Sequence, residues 1–380
     1  MVKKTKGEKV QYYLKNYKEM TYAQMKKPMG YKSSEGLRTW CKRNKMPNKR
    51  INSQSLRSET PLCDLVARAI KSKKLSTIEL ADRFNVPPKK IYEAMNELKK
   101  KHIVIDNFEN GFVQLSRVIK PVEEPMVIDI HKHKEKEFCI GVTADNHIGS
   151  KYERLDVLNA LYDRFADYGV KTVYNCGNYI DGECRFNKFD IYVHGVKAQV
   201  KNFIEKYPQR DGIKTYYISG DDHEGWYVQR EHIDIGQVVE DEAKRAGRND
   251  LISLGYMERD IVYKRSKGQS TIRVIHAGGG SSYAISYTTQ KYAESLQGGE
   301  KPAMVLVGHY HKFDFGYPRE IYMIQPGCTE DQTPFMRKRK LQAMVGGCVV
   351  WIKQNDLGIF TSVKIEWIPF YDKKFFEYKW

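Results

Sequence analysis

The sequence predicts an α/β (α+β) chain, with two small basic helical modules preceding a large body of alternating strands and helices. Three observations predict it. From Phe138 onward, apolar β-rich runs alternate with helical stretches such as Glu153–Tyr168 and Val196–Tyr207. Residues 1–117 instead carry helical periodicity broken at Gly30 and at Asn85–Pro88. The charge is uneven as well. The chain holds 64 Lys+Arg against 47 Asp+Glu, a formal net charge of +17. Residues 1–60 carry 16 basic and 4 acidic side chains, residues 61–117 carry 11 and 7, and the rest is nearly balanced at 37 and 36. A basic third on a near-neutral body is the footprint of a polyanion-binding unit, although a solubilising surface would be charged too.

Composition excludes several classes. A chain of 380 residues with 41% hydrophobic and 29% charged residues is globular, long enough for two or three domains. No run reaches the roughly 18 apolar residues of a membrane span, and Ala343–Ile352 is short and carries two glycines. The basic Met1–Val10 is followed by no apolar signal region. Seven scattered cysteines without a CxxC pair argue against a disulfide framework and for a reducing, cytoplasmic setting. The expected domains are 1–58, 59–117 and 138–380, with 118–137 as a linker.

In the first module, Gly7–Glu19 and Tyr22–Met29 read as helices, and Ser34 is placed to cap a third running to about Met46. On that third helix Leu37, Trp40 and Cys41 share an apolar face, while Arg38, Lys42 and Lys45 recur on a basic one. A recognition helix needs both faces, and this module is helix-turn-helix-like. In the second, Leu62, Leu65, Val66, Ala69 and Ile70 keep helical period. Ser76 with Glu79 signals a capping box opening Thr77–Phe84. Lys89–His102 follows, with Ile91, Ala94, Met95 and Leu98 inward and Lys89 and Lys90 as candidate DNA contacts. Ile103–Asp106 and Gly111–Leu115 then read as strands about an Asn110-Gly111 turn. This order resembles a winged helix-turn-helix, which implies DNA or protein as its partner. In the linker, Met126–Ile130 could add a short strand, and His131 and His133 read as a solvated charge run.

Five strands of the body end in residues fit for metal chemistry. They deliver Asp145-Asn146-His147, Gly177-Asn178-Tyr179-Ile180-Asp181, Gly220-Asp221-Asp222-His223-Glu224, His276, and Gly308-His309-Tyr310-His311. Sites gather at the carboxyl ends of strands in α/β sheets, and five of the ten histidines lie at these ends. Imidazoles mixed with carboxylates suit borderline divalent metals.

Each motif alone is common. The ordered set resembles the calcineurin-like metallophosphoesterase superfamily over roughly residues 138–350, whose pattern is D-x-H, G-D-x-x-D, G-N-H-D/E, H and G-H-x-H. The resemblance implies a four-layer β-sandwich, two mixed sheets face to face with helices outside. It further implies two divalent metal ions, Mn²⁺ first among Mn, Fe, Zn and Mg. Asp145, His147 and His311 would hold one and Asp222, His276 and His309 the other, with Asn178 between them. His223 would sit by the leaving group as general acid or transition-state electrostatic partner, oriented by Asp181.

Two positions depart from the pattern: Asn178 stands where the family has Asp, and Asp222 where it has Asn. A neutral amide is a poor bridge between cations. The exchange could be native, with Asp222 supplying the charge; Asn178 could be a silencing substitution; or the site could hold one metal or none. The unchanged ligand charge favours the first. Gly182 follows Asp181 where phosphoprotein phosphatases have Arg, which disfavours that branch. With the basic modules, the chain looks most like the DNA repair exonuclease branch, with Arg185 as a further candidate DNA contact. A DNA-cleaving phosphodiesterase is the leading expectation. A phosphoesterase on a non-polymer substrate and a DNA-binding scaffold with a weak phosphoesterase domain are the alternatives. A homodimer or a separately encoded ATPase partner stays open, and no membrane partner is expected.

Overall fold

The computed structural model describes residues 5–16, 22–44, 46, 60–130, 136–280 and 282–370. The chain divides between Val66 and Ala67 into two units.

In the first unit, α1 (Lys6–Asn16), α2 (Tyr22–Lys26) and α3 (Ser34–Arg43) close around Tyr13, Met25, Met29, Leu37 and Cys41. Trp40 flanks this core, with its ring centroid 6.3 Å from that of Tyr13. The cap of α3 is Ser33 rather than Ser34. Its backbone is extended, and its hydroxyl accepts the Gly36 N–H at 3.1 Å. Arg38 and Lys42 lie on the exposed face, and Lys45 is outside the described residues. Helix α4 (Leu62–Ile70) spans the division.

The second unit opens with β1 (Leu75–Ser76), α5 (Thr77–Phe84), α6 (Pro88–Lys100), β2 (Ile105–Asn107) and β3 (Phe112–Leu115). The three strands form an antiparallel sheet in the order β1-β3-β2. Ser76 and Glu79 close the capping box reciprocally at 3.1 and 2.8 Å. Asn85 ends α5 in the left-handed region, and Ile91, Ala94, Met95 and Leu98 bury the inner face of α6. Beyond α6 the chain is fastened to the body: the Val104 N–H donates to the His232 carbonyl at 2.8 Å, and Ile103 bridges to Ile233. His102 Nε2 lies 2.9 Å from an Asp241 carboxylate oxygen.

The body continues with β4 (Met126–Asp129), β5 (Glu137–Thr143), α7 (Leu155–Asp167), β6 (Thr172–Asn175), α8 (Val196–Lys206), β7 (Lys214–Ser219), α9 (Gly225–Glu231) and α10 (Ile235–Arg245). It closes with β8 (Leu251–Tyr256), β9 (Glu258–Lys264), β10 (Gln269–His276), α11 (Tyr287–Ser295), β11 (Met304–Gly308), β12 (Phe313–Gly316), β13 (Tyr322–Pro326), α12 (Pro334–Arg339), β14 (Gly346–Gln354) and β15 (Phe360–Pro369). Strand β4 lies inside the segment read as a linker and pairs in parallel with β9 at a sheet edge. His131 and His133 are outside the described residues.

Two six-stranded mixed sheets result, β15-β14-β5-β6-β7-β8 and β12-β13-β11-β10-β9-β4. Strand alternation assigns each side chain to a layer. Ile140, Val142, Tyr174 and Ile218 of one sheet meet Ile261, Ile272, Val274 and Leu306 of the other. On the opposite face of the first sheet, Val173 and Tyr217 pack with Leu161, Phe165, Phe203 and Val239 of α7, α8 and α10. Behind the second, Ile275, Val305 and Met323 pack with Ala293 of α11. The order helix–sheet–sheet–helix is the four-layer α/β (α+β) sandwich expected. Strands β5, β6 and β7 run parallel, as do β10 and β11. All seven cysteines are free. Among the described residues no helix is long and apolar enough to cross a membrane.

Candidate metal centre

The first two strand-end loops interlock through their backbones, and side chains tie the others to them. The Asp145 N–H donates to the Gly177 carbonyl at 2.9 Å and the His147 N–H to the Asn178 carbonyl at 2.8 Å. The His309 N–H is held by the Asp145 carboxylate at 2.9 and 3.1 Å. Six of the non-glycine residues with positive φ are expected site residues: Asp145 (50°), His147 (47°), Asn178 (49°), His223 (46°), His309 (88°) and His311 (54°). That region is costly for L residues, so it persists only where surrounding structure imposes it, and such strain clusters at functional sites. Gly177 is needed for its neighbour: at φ 96°, a Cβ there would overlap the His276 ring.

Two clusters of donors result. Asp145, His147 and His311 form one and Asp222, His276 and His309 the other, with the donor atoms of each within 4.8 Å of one another. The histidines are aimed by their outer nitrogens. His276 Nδ1 faces the Cys176 carbonyl at 2.7 Å, His309 Nε2 the Gly279 carbonyl at 2.7 Å, and His147 Nδ1 an Asp181 carboxylate oxygen at 2.8 Å. A proton placed on each of those atoms leaves His276 Nε2, His309 Nδ1 and His147 Nε2 with lone pairs toward the cleft.

Several inward atoms are buried without a hydrogen-bond partner: Asn178 Oδ1, Asp222 Oδ1, Glu224 Oε2, His276 Nε2, His309 Nδ1 and His311 Nδ1. Asp222 oxygens lie 3.2 Å from His276 Nε2 and 3.3 Å from His309 Nδ1, within ion-pairing distance. The alignment of a hydrogen bond is nevertheless missing for Asp222 Oδ1 and both nitrogens. Buried polar atoms are rarely orphaned, and ligand atoms converging with no aligned hydrogen bond between them fit a shared cation. The residues therefore suit two divalent ions. His147, Asp181 and His223 also meet that distance test, but both imidazoles turn Nδ1 to the same carboxylate at 2.8 and 3.1 Å. His223 Nδ1 also meets the Asp181 carbonyl at 2.9 Å, so hydrogen bonds already join these three residues.

Burial sets the charges. It pushes Asp145 up to about 6 and His147 down to about 4, and it holds His311 well below its ordinary range. Neutral imidazoles are the ligating form. Burial opposes the charge of His276 too, but Asp222 outweighs it and lifts His276 to about 9. Burial likewise opposes the charge of Asp222, yet His276 and His309 keep its carboxyl well below the usual range. His223 is held charged against burial by Asp181 and Asp222.

Two carboxylates absent from the expected set join the site. Glu224 is fully buried and accepts the Asn178 and Gly220 N–H groups at 3.0 and 2.9 Å, tying the second loop to the third. Glu330, 2% exposed, follows β13 and lies by His147 and His311. It stands four residues beyond the end of β13, past the Pro326-Gly327 turn. The Gly182 position excludes an arginine: at φ 66° a Cβ there would overlap the His223 carbonyl. His223 stacks on Trp226 at 4.6 Å, and Trp226 meets Phe186 edge-on at 6.0 Å. Arg185, Phe186, Lys188 and Phe189 are exposed on that loop. Lys89 and Lys90 are exposed at the start of α6, Lys90 paired with Glu93 at 2.6 Å.

No family model and no curated protein matches the chain. Among solved structures, it is similar to a novel archaeal phosphodiesterase, at 14% identity and TM-score 0.32, over 61% of this chain and 100% of that one. Vps29 of Entamoeba histolytica, complexed with Zn²⁺, gives 12% identity and TM-score 0.30 over 61% and 99%. Vacuolar protein sorting 29 of Cryptosporidium parvum gives 14% and 0.30 over 62% and 99%. Overlaps this loose transfer neither substrate nor mechanism.

Proposed function

We propose that the chain is a divalent-metal-dependent phosphodiesterase that cleaves DNA. The observation that carries the reading is the pair of donor clusters on strained, interlocked loops with their inward atoms unpartnered. Asp145, His147 and His311 would hold one ion, Asp222, His276 and His309 the other, with Asn178 Oδ1 between them. Ions so placed supply Lewis acidity and a water of lowered pKa. The chain's own part is to orient the phosphate and move a proton. Asp181 takes the Nδ1 side of His223, leaving Nε2 as the atom that protonates the leaving oxygen. Asp181 is buried, at 3% exposed, while the His223 ring reaches the cleft with 23% of its side chain exposed.

Support for DNA comes from charge and placement. The basic excess lies in residues 1–117, and the chain after α6 is fastened at His232–Asp234, the end of the helix that starts just after His223. The exposed Arg185–Phe189 loop beside Trp226 offers cations and rings to a strand. The test is Mn²⁺-dependent cleavage of end-labelled single- and double-stranded DNA beside a chromogenic diester. Charge reversal at Lys89, Lys90 and Arg185 should depress DNA cleavage far more than diester hydrolysis. Equal losses on both substrates would remove DNA from the reading.

One observation favours a smaller substrate. A cavity of about 650 Å³ beside His276 is lined by Tyr287, Tyr292, Tyr310 and Lys291, which suits a nucleoside. Hydrolysis of mononucleotides with no cleavage of DNA would make this the function.

A further inference from the structure

Resting on the DNA-cleaving reading, we infer that α12 and its Lys340 cap form a phosphate-backbone contact that seats the DNA strand on the side of the first cation. Residues 331–344 lie between β13 and β14. They carry four consecutive cations, Arg337, Lys338, Arg339 and Lys340, against one acid, Asp331. Asp331 is paired with Arg154 at 2.9 Å. All four cations are exposed, and none has an ion-pair partner among the described residues. Arg339 lies instead over the Phe335 ring, 5.8 Å from its centroid, and that ring is 59% exposed. Residues 118–380 are nearly balanced, at 37 basic and 36 acidic, so four unpaired cations in a row are a local excess that a polyanion would neutralise.

Placement gives that excess its partner. Both stems of the segment are fastened to residues of the first cluster. The Thr329 N–H donates to the Asp145 carbonyl at 3.2 Å, and the Met344 N–H donates to the His311 carbonyl at 2.8 Å. The stems also close on each other, with the Cys328 N–H on the Met344 carbonyl at 3.0 Å. Lys340 stands four residues before Met344, so even an extended chain keeps its Cα within about 14 Å of that stem. Phosphates follow one another by about 3.4 Å along each strand of a duplex, so a strand held at the cations reaches α12 within about four phosphates. The cap is a second, independent observation. Thr333 opens α12 by accepting the Met336 N–H at 3.2 Å, and Lys340 closes it at φ 58°, in the left-handed region that favours glycine. A lysine costs stability there, and its exposed side chain makes no ion pair that would offset the cost. Cations do favour a helix C-terminus, but α12 is under two turns long and already carries Arg337, Lys338 and Arg339 in its last turn.

The test is binding of fluorescein-labelled duplex DNA to the full chain, followed by anisotropy over a range of salt in EDTA, which blocks metal-dependent cleavage. Thermal melting is the fold check. Each phosphate contact contributes about 0.9 to the slope of log affinity against log salt. Arg337→Gln/Lys338→Gln should lower that slope by about 1.8. Lys171→Gln/Lys214→Gln removes the same charge from exposed positions where the parallel strands β6 and β7 begin, the ends away from the metal centre, and should leave the slope unchanged. Lys340→Gly should lower the slope by about 0.9 while the melting temperature holds or rises. A lysine kept for stability would do the opposite, leaving the slope unchanged and lowering the melt. If wild type binds DNA but the α12 variants keep its slope, or the Lys171/Lys214 variant loses as much, the inference is overturned and the DNA reading stands. Neither binding nor Mn²⁺-dependent cleavage of DNA by wild type would overturn the DNA reading itself. A melt that falls in step with affinity in Arg337→Gln/Lys338→Gln would make α12 structural and overturn the inference.

Discussion

Replacing Asp181 by Asn separates the two tasks assigned to that carboxylate. It is buried between two imidazoles, 2.8 Å from His147 Nδ1 and 3.1 Å from His223 Nδ1. An amide keeps the volume and, at Oδ1, the acceptor that both rings approach, but it loses the charge and turns a donor toward Asn187 Nδ2, which lies 3.0 Å from Oδ2 in the wild type. A hydrogen bond to a charged group contributes about 1.5–3 kcal/mol, or roughly 10–150-fold in an equilibrium constant. Through His147, the loss should appear as a weakening of one cation site by about 10–100-fold, the usual effect of removing a partner behind a metal ligand. Through His223, it should appear as a fall in turnover of about 10²-fold or more that persists at saturating Mn²⁺. Titration with Mn²⁺ and rates on a chromogenic diester measure the two separately. His223→Ala is the control: it should reproduce the loss of turnover while both cations still bind. The reasoning fails if Asp181→Asn stays within a few-fold of wild type on both measures, or if His223→Ala loses both cations.

Further expectations follow the same geometry. Cation affinity should rise with pH, since Asp145 must ionise near 6 and His276 must lose a proton held to about 9; titration in buffers of different ionisation enthalpy should show proton release at neutral pH. Burial opposes the His223 charge, but Asp181 and Asp222 hold it above the ordinary range, so the rate should fall as pH rises through that value. The fall should come at lower pH in Asp181→Asn. Gly177→Ala would overlap the His276 ring, and because the Gly177 carbonyl also holds the Asp145 N–H, both cation sites should weaken, the second more than the first. Asn178→Asp should leave Mn²⁺-dependent cleavage within a few-fold. A gain of about 10²-fold or more would identify the chain as a disabled form.

The site was legible because each of its five loops follows a short apolar strand, and parallel strands gather their ends on one side. Asp145, His147, Asn178, Asp181, His223, His276, His309 and His311 all announce themselves as polar residues directly after such runs. Glu330 did not: it stands four residues beyond the end of β13, past the Pro326-Gly327 turn, and a lone glutamate after a turn carries no metal signature. Glu224 was hidden in plain view beside His223, since its bonds to the Asn178 and Gly220 amides are set by folding, not spacing. Capping chemistry was readable at Ser76 and Glu79, where both partners lie in sequence, and missed by one residue at Ser33, where two serines compete. Strand β1 is two residues long, too short for any period. That the sheets face each other across Tyr174 and Leu306 came from the family resemblance, because alternation shows which faces are apolar and not which meet.

The most direct test of the central claim is the anomalous scattering of Mn²⁺ in crystals of the full chain. The account predicts two peaks about 3.5–4 Å apart. One should lie among Asp145, His147 and His311, the other among Asp222, His276 and His309. Absence of both peaks, or a single peak among His147, Asp181 and His223, would contradict it.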